Sequence, residues 1–305
     1  ARDDDRTGAR SRKLFHTIRR RSRMIDETIG EIREMQTHSS SVVAVKATRA
    51  LAELTERDYA TVEEFERDLE RNVGALKRAN PSHASLYNAL QDVLRNVQGE
   101  ADDLDEAREL TVATIDRVVE TVETGKRHAA QQAAATIEDG QTFLTHDYSS
   151  TVMEAVELAV ADGAELTAYV TEARPRFLGR KFARELAAID DVEPHLMVDS
   201  ASGMFLPKCD RVIIGMDCIV EETLYNRIGT FPLVAAANEV GVPVTVVGSG
   251  AKVVDGGFRF ENEIRSPSEV MLEPVEGIEL ENPAYDATPV DLIDEVITDE
   301  GVIEF

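Results

Sequence analysis

The sequence predicts an α/β protein: an N-terminal helical domain followed by a Rossmann-like, doubly wound, mainly parallel sheet. Three observations predict it. Through about the first 130 residues, apolar side chains recur at three-and-four spacing, as on a helix face. Glycine is scarce there, and no strand-like alternation interrupts the pattern. From Asp139 onward, short apolar runs instead alternate with amphipathic stretches, the grammar of β-α-β units. The change places the domains at 1–135 and 136–305.

The elements follow in order. Leu14, Ile18, Met24, Ile25, Ile29 and Ile32 form one helical stripe. Leu51, Leu54, Leu69, Val73 and Leu76 continue it, as do Leu90, Val93 and Val97. Asn80-Pro81-Ser82 breaks one helix and offers a cap to the next. Thr142–Thr145 reads as the first strand, after which Ser149 or Ser150 caps a helix from Val152 to Ala161. Leu166–Val170 is the next strand, followed by a helix from Gly179 to Ile189. His195–Val198, Val212–Gly215 and Val242–Val247 are further strands. Asn226–Thr230 reads as the loop that starts a helix running to Asn238. The acidic end, Ile297–Ile303, predicts a short helix and a strand.

Composition bounds the function. A chain of 305 residues makes one large or two modest domains. No stretch approaches the roughly 18 apolar residues that span a bilayer. The opening Ala1-Arg-Asp-Asp-Asp-Arg has no apolar core, and Cys209 and Cys218 are too few for a disulfide framework. A cytoplasmic location is therefore expected. The net charge of -25, from 58 acidic and 33 basic residues with Arg far outnumbering Lys, repels nucleic acid phosphates. At molar salt the Debye length falls to about 3 Å and self-repulsion is screened, which fits a halophilic source. No direct nucleic acid or membrane partner is expected.

In a parallel sheet, residues just past the strands emerge at one rim, where such sheets bind ligands. Asp147, Glu172 and Asp217 each follow a predicted strand and are candidate rim acids. Arg174, Arg176 and Arg180 follow Glu172 within one loop and helix start, a composition suited to phosphate. The same residues also suit helix caps and surface ion pairs. His16, His38, His83, His128, His146 and His195 lack metal-site spacing, so no metal is expected. There is no P-loop, no G-x-G-x-x-G and no nucleophile elbow, so no cofactor is expected. Gly248-Ser-Gly250 is too short to stand as a phosphate cradle. Both cysteines read as structural, as does His146.

Four ordered segments carry a resemblance: Glu172-Ala-Arg-Pro-Arg-Phe-Leu-Gly179, Asp210-Arg-Val-Ile-Ile-Gly-Met-Asp217, Asn226-Arg-Ile-Gly-Thr230 and Asn282-Pro-Ala-Tyr-Asp-Ala-Thr-Pro289. From about Ile32 onward the chain resembles the alpha, beta and delta subunits of translation initiation factor 2B. It resembles equally the sugar-phosphate isomerases of that superfamily, acting on methylthioribose 1-phosphate or ribose 1,5-bisphosphate. The isomerases pair a Cys in a Thr-His-Cys loop with an Asp at a strand end. Here the loop reads Thr145-His146-Asp147, so Asp147 stands at the Cys position and Asp217 at the Asp position. The isomerases' Arg-Gly-Ala phosphate turn is replaced by Thr37-His38-Ser39-Ser40-Ser41. Thr145-His-Asp-Tyr-Ser149 is closer to the factor 2B alpha subunit.

The resemblance implies ligand-binding roles for Glu172, Arg174, Arg180, Asn226, Arg227 and Lys252. It implies a homodimer or higher oligomer, with initiation factor 2 or related subunits as partner and a phosphorylated sugar or nucleotide as ligand. The two departures favour a non-catalytic, factor 2B-like regulatory subunit. The alternative is a sugar-phosphate aldose–ketose isomerase in which Asp217 works with Asp147.

Overall fold

Residues 24–33, 40–81, 83–254, 256–273 and 275–304 are described by the structure, a computed structural model of the chain. Leu14, His16, Ile18, Thr37, His38, Ser39 and Ser82 lie outside the described residues. The chain divides into two compact units, one ending at Glu123 and the other spanning Thr124–Phe305.

In the first unit the apolar periodicity becomes helices α1 (Met24–Arg33), α2 (Ser40–Ala50), α3 (Val62–Ala79) and α4 (Ala84–Val97). Helix α5 (Leu104–Ala134) crosses the division between the units, so helical grammar outlasts the first unit. Phe65, Leu69, Val73 and Leu76 share one face of α3 and are fully enclosed with Leu51, Leu54 and Leu90. Thr61 caps α3, its hydroxyl accepting the Glu64 N–H at 3.3 Å. The Glu64 carboxylate in turn accepts the Ala60 N–H at 2.9 Å, so two otherwise orphaned donors are satisfied.

The second unit is built on a seven-stranded sheet: β1 (Thr142–Thr145), β2 (Leu166–Thr171), β3 (Val192–Met197), β4 (Arg211–Gly215), β7 (Val244–Val247), β10 (Glu295–Thr298) and β11 (Gly301–Glu304). Its order is β11-β10-β7-β4-β1-β2-β3, parallel throughout except for β10 with β11. Side chains alternate between two layers. Phe143, Ile213, Val247 and Ile297 pack with α6 (Ser150–Ala161) and α7 (Leu178–Leu186). Leu144, Val212, Ile214, Val246 and Val296 pack on the other face with α8 (Thr230–Val240). Helices therefore cover both faces, as a doubly wound sheet requires. Ser149 caps α6 through the Val152 N–H at 3.3 Å.

Strand β1 has β2 on one side and β4 on the other, so the winding reverses between β1 and β4. The crevice outside the strand ends at that reversal is where such sheets hold ligands. Asp147 follows β1 and Asp217 follows β4, one on each side of it.

Two elements differ from the sequence reading. The acidic end is a β-hairpin, not a helix and strand. Gly301 takes a φ of 133°, and the Thr298 hydroxyl receives the Glu300 N–H and donates to the Gly301 carbonyl, closing the turn. The second difference is a small sheet, β8-β5-β6-β9, formed by β5 (Cys218–Val220), β6 (Thr223–Arg227), β8 (Val253–Val254) and β9 (Tyr285–Pro289). Asn226 and Arg227 lie in β6, paired with Asp286 and Tyr285, and not in a helix-starting loop. The alternation of enclosed Leu224 and Asn226 with half-buried neighbours is the strand period in this segment.

A close contact fixes α7. A Cβ at Gly179 would stand 1.8 Å from the Thr171 carbonyl oxygen, so the first turn of α7 rests directly on the end of β2. Gly179→Ala is expected to destabilise the fold by about 1–3 kcal/mol, by forcing these backbones apart. A lower urea midpoint reads this out; an unchanged midpoint would contradict the packing.

Candidate functional site

Asp147 reaches the crevice because its backbone turns sharply after β1, with a φ of 65°. Ala173 and Phe177, after β2, take φ values of 57° and 59°. Left-handed backbone in non-glycine residues costs about 1–3 kcal/mol each and gathers at ligand sites. The Asp199 carboxylate fixes the Ala173 turn, accepting the N–H groups of Ala173 and Arg174 at 2.7 Å each.

His146 joins the walls. Its Nε2 lies 2.8 Å from the Ile228 carbonyl and its Nδ1 2.7 Å from the Thr171 hydroxyl. A carbonyl only accepts, so Nε2 carries a hydrogen and Nδ1 is free to accept from Thr171. The ring is buried and structural, as its position at the strand end suggested. Gly229, at φ 103°, is required beside it, since a Cβ there would meet the ring at 2.6 Å.

The β5–β6 hairpin brings Arg227 back to the strand ends. Its Nε donates to Asp147 Oδ2 at 3.1 Å, and both side chains are largely buried. Its guanidinium also lies over the Tyr285 ring, 4.9 Å from the centroid. Asp217 and Asp147 together raise the Arg227 pKa against the opposing effect of burial, so it stays charged. Burial pushes the Asp147 carboxyl above the ordinary carboxylate range, with the nearby Asp217 charge adding to it. Arg227 opposes that shift without cancelling it.

The crevice is a shallow, partly open cleft, about 230 Å³ counting the space it shares with solvent. Asp147 is the acid on its wall, and Arg174, Arg176, Arg227 and Arg265 are the bases, with Ala173, Pro175 and Pro283 among the apolar contributors. Four arginines among the lining residues suit an anion, and the Asp147 carboxylate on the same wall adds a proton acceptor. Among the described residues no group of His, Cys, Asp or Glu side chains is arranged to hold a metal. No described helix is long and apolar enough to cross a membrane.

The structure gathers some predicted residues and separates others. Asp147, Arg174 and Arg227 share the crevice. Asp217 stands off its wall, interacting with Arg227, Asp147, Lys252, Cys218 and Tyr285. Of the three expected rim acids only Asp147 lines the crevice, and Glu172 accepts from Arg180 Nε at 3.0 Å outside it. Arg180 also stacks on Phe177 at 3.9 Å, so this pair serves the loop. Asn226 donates to the Thr230 hydroxyl at 3.1 Å and holds the start of α8. Lys252 donates to the Met216 carbonyl at 2.7 Å; burial depresses its pKa, while Asp217 and Cys218 oppose that shift. The thiols of Cys209 and Cys218 are pushed up to about 11 and about 12, chiefly by burial, and are poor nucleophiles.

Arg265 escaped the sequence reading, and Tyr285 entered it only as part of the Asn282–Pro289 segment, without a role. Arg265 sits in an irregular segment whose local sequence, Glu263-Ile-Arg-Ser-Pro-Ser-Glu269, carries no period. Its signal is the flanking glutamates, which hold it from both sides. Thr37–Ser39 lie outside the described residues, while Ser40 and Ser41 open α2.

A family profile described as Initiation factor 2 subunit family matches residues 36–305. A ribose 1,5-bisphosphate isomerase of Haloterrigena turkmenica is 33% identical over 291 residues, covering 90% of this chain and 88% of that protein. The protein of the same name from Haloferax volcanii is 32% identical, covering 91% and 88%. The crystal structure of translation initiation factor eIF-2B from Pyrococcus horikoshii superposes with a TM-score of 0.71 at 24% identity, over 92% of this chain and 96% of that one. That last likeness shows the fold.

Proposed function

The chain belongs to the initiation factor 2 subunit family, and we propose that within it the protein is a sugar-phosphate aldose–ketose isomerase acting on ribose 1,5-bisphosphate in the switch-point crevice. One observation carries the reading: a carboxylate of raised proton affinity lies on the wall of a crevice that four arginines also line. Guanidiniums hold phosphates, and a base set among them is placed to move a proton on the carbon chain between those phosphates. Relatives named as ribose 1,5-bisphosphate isomerases support it at 33% and 32% identity. They shift the balance away from the regulatory subunit expected from the sequence.

In the proposed reaction the Asp147 carboxylate takes the proton from C2. The C2–H electron pair forms the C1=C2 bond as the C1–O bond to the ring breaks, and the ring oxygen receives a proton from a water held by the Asp217 carboxylate. The enol then takes a proton from Asp147 at C1, while its C2 hydroxyl returns one to the hydroxide so formed. Both carboxyl groups end as they began, and no oxidant or metal enters. Arg227 leaves Asp147 for the phosphate next to these carbons, which frees the base. Tyr285, its pKa pushed up to about 12 chiefly by burial, stays a neutral phenol under Arg227.

The test is conversion of ribose 1,5-bisphosphate by the purified protein in molar potassium chloride, wild type against Asp217→Asn. Ketose from the wild type alone is the expected result. Ketose from both, or from neither, overturns the reading.

The second reading is a non-catalytic, factor 2B-like regulatory subunit that binds the same sugar phosphate and assembles as a homodimer with initiation factor 2 or related subunits. The specific observation in its favour is the Asp147–Arg227 ion pair at the position where the resembling isomerases carry a Cys. It predicts binding without turnover.

A further inference from the structure

Arg265 reaches the crevice from a segment remote in sequence from the other arginines there. Its guanidinium grips the Glu269 carboxylate through Nε at 3.0 Å and Nη2 at 3.1 Å, a two-pronged geometry. Nη1 donates to Glu263 at 2.8 Å. The Asn282 amide donates to Glu269 at 3.2 Å and to the Ser266 carbonyl at 2.9 Å. Backbone bonds from Arg265 to Asn282 and from Ala284 to Glu263, 2.8 Å each, fasten the two limbs together. Arg174, which also lines the crevice, donates to the Val270 carbonyl at 3.1 Å, next to Glu269.

A carboxylate held by the fork of an arginine has the shape and charge that a phosphoryl group presents to the same fork. Glu269, which does not itself line the crevice, thus occupies the fork of an arginine that does. Arg227 is bonded to Asp147 and serves the phosphate beside the reacting carbons. Arg265 has no contact with Asp147 and faces the same space. Arg176, on the wall as well, adds its charge near Glu269 and helps to hold that carboxyl low.

We infer that Arg265 determines specificity for the second phosphoryl group of a bisphosphorylated sugar, and that Glu269 is an internal stand-in which this phosphate displaces. The inference rests on the reading of the crevice as a sugar-phosphate site. It makes the Arg265–Glu269 pair a gate: without ligand the Arg265 fork stays filled by Glu269, and only a sugar with both phosphates draws Arg265 away from it. The coupling of each group to the other is visible in its proton affinity, Glu269 held low and Arg265 held high by their mutual hydrogen bonds.

The experiment is calorimetric titration of the full chain with ribose 1,5-bisphosphate and, separately, ribose 1-phosphate. Arg265→Gln is expected to weaken the bisphosphate about 10- to 100-fold, the loss of one charged two-pronged contact, and to leave ribose 1-phosphate unchanged. Glu269→Gln removes the competitor and is expected to tighten the bisphosphate. A purely structural role for the pair predicts weakening in both variants and for both sugars. Equal loss for the two sugars in Arg265→Gln, or weaker bisphosphate binding in Glu269→Gln, overturns the inference. Binding without turnover by the wild type would sink the isomerase reading and leave this one standing. A wild type that binds neither sugar overturns both.

Discussion

Asp147→Asn is expected to lower the turnover of ribose 1,5-bisphosphate about 10²- to 10⁴-fold, the usual worth of a positioned general base. Asn keeps the shape and tolerates the left-handed backbone at this position, so the loss reports the charge and not the fold. The same variant is expected to melt higher than the wild type at neutral pH. The sign follows from the raised pKa of the folded state. The fold prefers the protonated carboxyl, so wild-type stability from this group is complete below the ordinary value of 3.8 and falls as pH rises through the folded pKa. Asn has no such loss. The melting difference should therefore widen above pH 4 and level off once Asp147 is ionised. A function-bearing group that weakens its own fold is common at active sites. An Asn variant that melts lower at every pH would show that the ion pair with Arg227 outweighs the burial.

Arg227→Met carries the largest expected cost in stability, about 3–5 kcal/mol, because it strands Asp147 and Asp217 without their shared counter-charge. Urea denaturation measures it directly. Salt in the buffer should change the loss little, since the Asp147–Arg227 pair is largely buried and weakly screened. The double variant Arg227→Met/Asp147→Asn should recover part of the loss, because one of the stranded charges is gone. Purely additive costs in the double variant would mean the pair is not coupled. Phosphate affinity should fall in both variants that lack Arg227.

The doubly wound sheet was legible because each strand is a short apolar run, as in Val212-Ile-Ile-Gly215, bounded by polar turns. The rim position of Asp147 and Asp217 followed from strand ends alone. What stayed hidden has physical causes. The acidic hairpin Glu295–Glu304 offers too few residues for its period to show, and Gly301 is its one turn signal. The β5–β6 hairpin hid Arg227 in a strand because Asn226-Arg-Ile-Gly-Thr230 also reads as a helix start. Glu172 and Arg180 sit eight residues apart in the chain and were read as ligands, yet they satisfy each other. Spacing brings charges to one rim but does not say which of them pair. Arg265 was invisible for the opposite reason: its segment has neither helix nor strand periodicity, and only the folded chain carries it to the crevice.

The most direct measurement of the central claim is NMR of ribose 1,5-bisphosphate incubated with the wild-type protein in D2O. The account predicts a ketose bisphosphate carrying deuterium at C1, since Asp147 exchanges its proton with solvent between taking it from C2 and returning it. Aldose that stays bound and unchanged, or ketose formed without deuterium, would contradict it.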